Sequence, residues 1–241
     1  MSYNLQGIVR KTTTNLAVEF DRLSYAAQNV ANANTAGYKS VRFEDVIDAD
    51  GSVHGIERTD TKVGEFLQTN RPLDVAIMGA GYIPVTTPEG EIRYTRDGTF
   101  TVNKDGMLIT KTGDLVGSGI YIDGAAVKTE IRSNGDVYTY KDLLKEPEYT
   151  GTIPVVQFQN PEALKDVGAN EFVATEGAGK MKLVEDHDYI KQYGVEQSNI
   201  DMISEVYMIS RINASILASS SLMRSISSMY DTMFQQLSGG T

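Results

Sequence analysis

The C-terminal stretch from Asn199 to Leu237 constrains the fold of this chain most. Its apolar and small residues recur at spacings of four and three, with no proline or glycine between them: Met202, Val206, Ile209, Asn213, Ile216, Ser220, Met223, Ser227, Tyr230, Phe234 and Leu237. This heptad-like pattern predicts one continuous helix. At 1.5 Å per residue the helix would be roughly 58 Å long, too long to be buried within one small domain. We therefore expect it to contact partners outside its own domain or its own chain.

A second row of residues lies on the adjoining flank of the same predicted helix, seven residues apart, and widens the apolar face: Ile212, Ser219, Ile226 and Met233. The small side chains of Ser219, Ser220 and Ser227 would weaken a two-stranded coiled coil in water. Small residues do, however, permit a close approach where many helices are bundled. We interpret these serines as close-packing positions in a crowded helical assembly.

The other end of the chain carries a matching pattern in residues 4–33. Its apolar residues again repeat at four and three, and the main row is Leu16, Phe20, Leu23, Ala27 and Val30. This predicts an amphipathic helix, which Asn32, Asn34 and Gly37 are suited to close in the left-handed conformation. Two such helices at opposite ends of a chain most simply form an antiparallel hairpin.

The next segment, residues 41–70, shows no sustained periodicity. It is polar and contains glycines, which predicts an extended connector with a short strand or hairpin. Asp48-Ala49-Asp50-Gly51 has the composition of a calcium loop. With Gly51 at the sixth loop position, however, Val46 occupies the place of the first ligand. We interpret these residues as a plain turn.

From residue 71 onward, short runs of Val, Ile, Tyr, Phe and Thr alternate with turn residues. The turn signals include Glu89-Gly90, Asp97-Gly98, Asp105-Gly106 and Asn134-Gly135. This spacing predicts antiparallel strands without alternating helices. The predicted fold class is therefore α+β, with long N- and C-terminal helices paired as an antiparallel coiled-coil-like hairpin and a central antiparallel β domain.

The expected organisation has three parts. Residues 1–40 and 199–241 form a discontinuous helical assembly domain, residues 41–70 form the connector, and residues 71–198 form the β domain. Ser198 or Asn199 is the expected N-cap of the C-terminal helix, because Ser and Asn side chains accept hydrogen bonds from the first helical N–H groups.

The charge distribution limits the partners of this chain. Its 241 residues carry a formal net charge of −10, which divides into +2 in residues 1–40, −11 in residues 41–198 and −1 in residues 199–241. Nucleic-acid binding, by contrast, requires a clustered basic face. The sequence contains no apolar run of about 18 residues, the length that a membrane span requires. Its N-terminal residues lack the apolar core of a secretory signal peptide. This predicts a cytoplasmic protein, unless export proceeds without a cleaved signal.

Catalytic and metal-binding patterns are sparse. The chain has no cysteine and two histidines, His54 and His187. Glu185, Asp186 and Asp188 could orient the His187 imidazole, but no second histidine or nucleophile is placed beside it, so we interpret this segment as a solvated turn. Residues 177–180 lack the first glycine and the Ser or Thr of a phosphate loop, because Ala174 and Met181 occupy those positions. We assign no catalytic, cofactor-binding or metal-ligating residue and predict no enzymatic activity. A pair of catalytic carboxylates is neither supported nor excluded by sequence.

Four segments together resemble one protein family. Residues 29–39, Asn-Val-Ala-Asn-Ala-Asn-Thr-Ala-Gly-Tyr-Lys, are similar to the N-terminal signature of bacterial flagellar basal-body rod proteins, which are related to hook proteins. Residues 71–77, 94–100 and 195–201 resemble, in the family's order, the first strand of its β domain, a hairpin and the entry to its C-terminal helix. The family-motif residues are Asn29, Asn32, Thr35, Gly37, Tyr38 and Lys39.

The resemblance implies a structural subunit of the flagellar basal-body rod. Such a subunit polymerises through its terminal helices into a tubular axial drive shaft, with the β domain outside. The implied partners are further copies in a helical homopolymer, other flagellar rod and hook proteins, and the export apparatus. No cofactor, nucleic acid or direct membrane span is implied. The implied location is the basal body outside the cytoplasmic membrane, reached by type III export without a cleaved signal peptide.

The position within the rod is less directly indicated. Residues 43–46, Phe-Glu-Asp-Val, favour the distal rod protein, which is our prediction. The short interval between Lys39 and Arg71 and the pair Arg71-Pro72 suit the proximal rod protein, which is the alternative. An alternative from another class is a β-domain enzyme or carbohydrate-binding module carried on a coiled-coil stalk.

The resemblance and the periodicity together predict an assembly seam on both terminal helices. Its residues are Leu16, Phe20, Leu23, Ala27, Val30, Met202, Val206, Ile209, Ile216, Met223, Tyr230, Phe234 and Leu237. One departure from the family pattern, Asn213-Ala214-Ser215 in place of an aromatic-acidic pair, lies within the C-terminal part of this seam.

Overall fold

The computed structural model describes residues 5–47, 49, 53–184 and 188–238. Within these residues the chain forms two α-helices and eighteen β-strands. Contacts divide it into two units. The helical unit takes in the described parts of Met1–Ala31, Val41–Arg58 and Ile200–Thr241, and the β unit takes in Asn32–Ser40 and Thr59–Asn199. Residues 32–40 are thus grouped with the strands and residues 41–58 with the helices.

Both terminal helices form and contact each other, as the two heptad-like patterns predict. Helix α1 spans Leu5–Ala31 and α2 spans Met202–Ser238. The N-cap of α2 is Asp201, rather than Ser198 or Asn199. Its Oδ1 accepts the N–H groups of Ile203 and Ser204 at 3.0 and 3.4 Å, and its Oδ2 accepts the Ser204 hydroxyl at 2.7 Å. These bonds lower the pKa of Asp201, because they favour its charged form.

The helical unit also contains a pair of strands, β1 (Val41–Ile47) and β2 (Val53–Thr59). Strand β1 packs on α1, where the Phe43 ring stacks on the Tyr25 ring with centroids 5.5 Å apart. Two polar contacts hold the same region together: Arg22 pairs with Asp45, and the Tyr25 hydroxyl donates to a Glu57 carboxylate oxygen. The region expected to be a connector therefore includes strands that pack on the first helix.

The β unit consists of sixteen short strands in the part of the chain that the structure describes. They are β3 (Phe66–Gln68), β4 (Val75–Ile77), β5 (Ile83–Thr86), β6 (Ile92–Thr95), β7 (Thr101–Val102), β8 (Leu108–Ile109), β9 (Leu115–Val116), β10 (Lys128–Ile131), β11 (Asp136–Tyr140), β12 (Glu148–Thr152), β13 (Val156–Gln157), β14 (Lys165–Gly168), β15 (Glu171–Val173), β16 (Lys182–Leu183), β17 (Ile190–Gln192) and β18 (Gly194–Glu196).

The largest sheet of the β unit has seven strands in the order β14-β15-β6-β5-β9-β8-β7. A second sheet has the order β10-β11-β12, and β4 pairs with β17, β3 with β18 and β13 with β16. The pairings are antiparallel, including the Phe66–Glu196 register that joins the start of the unit to its end. The α+β fold class predicted from the turn spacing and the two helical patterns is confirmed.

Two apolar clusters form the core of the β unit. The larger brings together side chains from most of the sheets, with Val75, Ile83, Val85, Phe100, Leu108, Val116, Val137, Ile153 and Val155 among its most buried members. The smaller is aromatic, and in it the Tyr82, Tyr94 and Phe172 rings pack with Val156 and Leu164. Burial of these side chains supplies the main driving force for folding of this unit.

Candidate assembly interface

Helices α1 and α2 run antiparallel, as two hydrogen bonds between them demonstrate. Asn29 Nδ2 donates to Glu205 Oε1 at 2.9 Å, and Ser215 Oγ donates to Glu19 Oε1 at 3.0 Å. Asn29 lies ten residues after Glu19 on α1, whereas its partner Glu205 lies ten residues before Ser215 on α2. The helices therefore stay in register between these two contacts.

The centre of the helix contact is formed by the second apolar row of α2. Ile212 and Ile226 of that row are buried, and so are Val18 and Ala26 of α1. Burying each isoleucine contributes about 1.5–3 kcal/mol relative to leaving it exposed. The flanking row of α2, which contains Ile212 and Ile226, is thus the row that α1 covers.

The predicted α2 seam residues divide between two surfaces. Ile209, Ile216, Met223 and Tyr230 are half-buried, whereas the remaining described seam residues are exposed: Met202 at 42%, Val206 at 53% and Phe234 at 69%. The side chain of Leu237 lies outside those that the structure describes. The α2 helix therefore presents a second apolar surface besides the one that α1 covers.

The predicted α1 seam residues divide in the same way. Leu16, Leu23 and Val30 are half-buried, and Phe20 and Ala27 are exposed. Sequence reasoning missed the buried positions Thr12, Val18 and Ala26. Thr12, Glu19 and Ala26 follow one another at intervals of seven residues and so lie on one row of α1. A hydrophobicity pattern does not identify this row as apolar, because it includes threonine and glutamate. Its seven-residue spacing was the available signal.

The first family-motif residue, Asn29, joins three elements of the helical unit. It is buried, and its carboxamide makes a two-point contact with Val41: Oδ1 accepts the Val41 N–H and Nδ2 donates to the Val41 carbonyl, both at 2.9 Å. The same Nδ2 donates to Glu205 on α2. No other neutral side chain of this length offers both a donor and an acceptor in this geometry, so an asparagine suits the position.

Glu205 is left incompletely paired by this contact. Its Oε2 is buried and accepts no hydrogen bond from the described residues. Burial raises the pKa of Glu205, and the bond from Asn29 only partly opposes this. The carboxylate therefore opposes stability of the helical unit when it is charged.

The next motif residues turn the chain after α1 and belong to the β unit. The Thr35 N–H donates to the Asn32 carbonyl at 3.0 Å, and the Thr35 hydroxyl donates to Asn32 Oδ1 at 3.1 Å. Gly37 has a φ of +68°, and a Cβ added there would lie 2.5 Å from the main-chain carbonyl of Arg96. Only glycine fits this approach, because both the conformation and the space exclude a side chain.

The last motif residue, Lys39, enters a buried ion cluster with Glu196 and Arg96. The side chains of the three are 0%, 1% and 2% exposed. Lys39 Nζ lies 2.5 Å from Glu196 Oε1, and Arg96 donates from Nε to Glu196 Oε2 at 2.7 Å. The Gly64 N–H donates to Glu196 Oε1 at 2.7 Å, so both carboxylate oxygens are fully used.

The remaining donors of the cluster bind main-chain carbonyls. Arg96 donates to the carbonyls of Gly79 and Gly81, and Lys39 donates to the carbonyl of Lys62. Burial lowers the pKa of Lys39, and the neighbouring Arg96 charge adds to this shift. Three of the four sequence segments that carry the family resemblance therefore meet in one network, which holds the β unit together where the chain enters and leaves it.

A second polar contact at the same place involves Asn199. Its Oδ1 accepts the Ser40 N–H at 2.7 Å, and its Nδ2 donates to the carbonyls of Asp60 and Lys62 at 2.8 and 3.1 Å. The carboxamide therefore joins the segment before α2 to the main chain at Ser40 and at Asp60 and Lys62. This tertiary role explains why Asn199 does not cap α2.

The described residues show neither a metal-ligand cluster nor a membrane-spanning helix. The described residues contain no group of three or more His, Cys, Asp or Glu side chains placed to hold a metal ion. His54 is exposed in β2, and His187 and most of the Asp48–Gly51 segment lie outside the described residues. Among the helices of the described chain, none has both the length and the apolar character of a membrane span.

Comparison with known proteins identifies the family. The family model described as flagellar hook protein FlgE/F/G D1 domain matches residues 76–139, within the β unit. The flagellar basal-body rod protein FlgG of Caulobacter vibrioides is 30% identical over 227 residues, which covers 82% of this chain and 87% of the relative. The chain belongs to the flagellar basal-body rod proteins.

Relatives of this rod protein carry two names. FlgG of Buchnera aphidicola subsp. Acyrthosiphon pisum is 28% identical over 254 residues, or 93% of this chain and 96% of the relative. The basal-body rod protein FlgF of Mesorhizobium japonicum is 29% identical over 226 residues, or 90% of this chain and 91% of the relative. Because the identities to FlgG and FlgF are so close, similarity assigns the family and not the position of this rod protein within the rod.

Proposed function

We propose that this protein is a structural, non-enzymatic subunit of the flagellar basal-body rod that polymerises through α1 and α2 into a tubular axial shaft. The observation that carries the proposal is the second apolar surface of α2. Ile203, Tyr207 and Leu217 are mostly exposed, as are Val206 and Phe234. Large apolar side chains that are exposed together on one face of a helix mark an interaction site.

The two surfaces of α2 suit a helical polymer. One surface is covered by α1 of the same subunit, and the other is available to helices of neighbouring subunits. Ser227 is exposed and Ser220 is half-buried, so small residues interrupt the large ones and allow neighbouring helices to approach closely.

The distal position in the rod is the more specific part of the proposal. The segment that favours it, residues 43–46, contributes to how β1 is held on α1, through the Phe43 ring and the Asp45 carboxylate. The proximal position remains the alternative, since FlgF is nearly as similar as FlgG. Complementation of strains lacking either the distal or the proximal rod protein would decide between them. Restored motility in the proximal-deficient strain alone would overturn the distal assignment.

The proposal implies partners and a location. In the rod the protein would contact further copies of itself and the neighbouring rod and hook proteins. It would reach the basal body outside the cytoplasmic membrane through the flagellar export apparatus, without a cleaved signal peptide. Intact-mass measurement of the protein recovered from purified basal bodies tests this, because a cleaved product would contradict it.

The polymerisation proposal is tested by placing a charge on the exposed apolar surface. Val206→Asp should prevent formation of tubes at concentrations where the wild type forms them, because a charge would be buried in each subunit contact. Val206 is exposed in the subunit, so far-ultraviolet circular dichroism should stay unchanged. Ser225→Asp, an exposed position on the polar side of α2, is the matched control and should assemble normally.

Negative-stain electron microscopy and analytical ultracentrifugation provide the readout. The proposal predicts concentration-dependent tubes or filaments for the wild type and for Ser225→Asp, and monomers for Val206→Asp. Discrete small oligomers of the wild type at every concentration, or normal assembly of Val206→Asp, would refute it.

A further inference from the structure

A groove lies within the helical unit between α1, β1 and α2. It encloses about 460 Å³, within the range of about 300–1,000 Å³ that is typical of ligand pockets. Its apolar lining comes from Phe43, Tyr207, Met208 and Ile212, and its charged lining from Glu19, Arg22 and Arg211. A pocket with this lining is suited to an aromatic or aliphatic side chain flanked by an acidic group.

The cations of the groove differ in how they are engaged. Arg22 pairs with Asp45 and lies 3.7 Å from Glu19. The ion pairs of the described residues do not include Arg211, and its guanidinium lies 5.9 Å from the centroid of the Tyr207 ring. Arg211 is therefore the groove cation available to an incoming carboxylate.

The opposite end of α2 carries the complementary groups. Two hydrogen bonds, Asn29–Glu205 and Ser215–Glu19, set the register of the two helices. Continued along α2, this register places Met229 opposite Leu5, the first described residue of α1. From Tyr230 onward, α2 therefore continues past the described part of α1. This segment carries the exposed side chains of Asp231, Met233 and Phe234. We call residues 229–238 the α2 tip.

The spacing of the two sets of residues agrees. Asp231 and Phe234 are three residues apart, and Tyr207 and Arg211 are four residues apart, so each pair lies on one face of the helix. Asp231 forms no ion pair with the described residues, and apart from Glu205 it is the only acidic residue of α2. The groove and the tip thus present opposite charges, each beside an aromatic side chain.

We propose that the α2 tip of one copy docks into this groove of a second copy, with Asp231 opposing Arg211 and Phe234 packing among Phe43, Tyr207 and Met208. The proposal rests on the proposed polymerisation and names one of its contacts. Groove and tip are about 20 residues apart, or about 30 Å along α2. In a head-to-tail arrangement each subunit uses its tip on one neighbour and its groove on the other, which generates an open filament rather than a closed dimer.

Charge reversal tests this contact on the full-length protein. Arg211→Glu and Asp231→Lys should each raise the critical concentration for assembly about tenfold, because like charges would then face each other across a partly desolvated contact. Ser225→Asp adds a charge at an exposed position of the same helix, on its polar side and outside the groove. As the matched control it should change the critical concentration by less than about twofold.

Mixing the two variants gives the sharper result. In an equimolar mixture of Arg211→Glu and Asp231→Lys, every groove meets a tip of opposite charge, so filaments should form at the wild-type concentration. A variant that had failed to fold would not be rescued by mixing. The double variant Arg211→Glu/Asp231→Lys in a single chain should also assemble.

The outcomes separate this inference from the proposed function. If both single variants assemble as the wild type does while Val206→Asp does not, the groove–tip contact is wrong and the polymerisation proposal stands. If the mixture assembles only to dimers, the contact is isologous and the head-to-tail arrangement is refuted. If the wild type itself forms no polymer, the proposed function fails first.

Discussion

Removal of the central carboxylate from the buried ion cluster should severely destabilise the β unit. Glu196→Gln keeps the size of the side chain, so no cavity is created and the change isolates charge and hydrogen bonding. Glu196 accepts bonds from Lys39, Arg96 and the Gly64 N–H, and the glutamine amide N–H₂ group would point at one set of these donors. Two cations would then remain buried without a counterion.

The magnitude follows from the burial of all three side chains, which are at most 2% exposed. Removing one partner of a buried ion pair costs about 3–5 kcal/mol, and total stabilities of domains are about 5–15 kcal/mol. At about 2–4 °C per kcal/mol for a domain of this size, we expect the melting temperature of the β unit to fall by about 6–20 °C.

Circular dichroism melts and hydrogen exchange measured by mass spectrometry provide the assay. Peptides covering β3 and β18 should lose protection first, because Glu196 lies in β18 and Gly64 lies two residues before the start of β3. Glu148→Gln is the control: its carboxylate pairs with Lys141 at 3.2 Å but is 63% exposed, so the change should cost less than about 1 kcal/mol.

The reasoning would be refuted if Glu196→Gln melted within about 2 °C of the wild type and retained exchange protection in β3 and β18. A triple replacement of Lys39, Arg96 and Glu196 by methionine should recover most of the lost stability, because it removes the uncompensated charges together with their partner. Failure of this recovery would indicate that the hydrogen bonds to main-chain carbonyls, and not charge pairing, dominate.

Three further predictions follow from single residues. Glu205→Gln should raise the melting temperature of the helical unit by about 2–4 °C near pH 7, because a half-satisfied charged group is replaced by a neutral one. Since burial raises the folded-state pKa of Glu205, the wild type gains stability as pH falls through that pKa, and the advantage of the variant should disappear in acid melts. Gly37→Ala should lower the free energy of unfolding, measured by denaturant titration, by about 2–5 kcal/mol, because the added Cβ would lie 2.5 Å from a main-chain carbonyl. The control is Gly90→Ala, which also has a positive φ but has open space around it, and it should lower the free energy of unfolding by about 1–2 kcal/mol. The hydrogen bond from Tyr25 to Glu57 raises the pKa of Tyr25 to about 12. The stability that this bond contributes is therefore complete below about pH 10 and is lost as pH rises through the folded-state pKa. Tyr25→Phe should remove one late-titrating tyrosine from the ultraviolet titration curve.

Local periodicity was sufficient to predict the secondary structure of the chain ends. The apolar repeats around Leu23 and Ile216 predict helices that the structure confirms as α1 and α2. The N-cap was misassigned, because Ser198, Asn199 and Asp201 are all good capping residues by type. Which of them caps depends on where the chain leaves the β unit, and Asn199 is there engaged with Ser40, Asp60 and Lys62.

The pairing face of α2 was not predictable from the repeat alone. Both the Ile212–Ile226 row and the row through Val206 and Phe234 contain apolar residues. An apolar face this wide does not indicate which of the two rows packs against α1. The structure decides this through partners on α1 that no hydrophobicity pattern would select, among them Glu19 and Asn29.

The two terminal helices, the antiparallel β region and the family can be predicted from the amino-acid sequence, because they depend on neighbours within a few residues or on short motifs. Only the tertiary structure decided that Lys39, Arg96 and Glu196 meet, although 157 residues separate the first from the last. The sequence around a charged residue does not indicate which distant residue it will pair with. Burial of such a residue is favourable only when the fold delivers an opposite charge and enough hydrogen bonds to the same point.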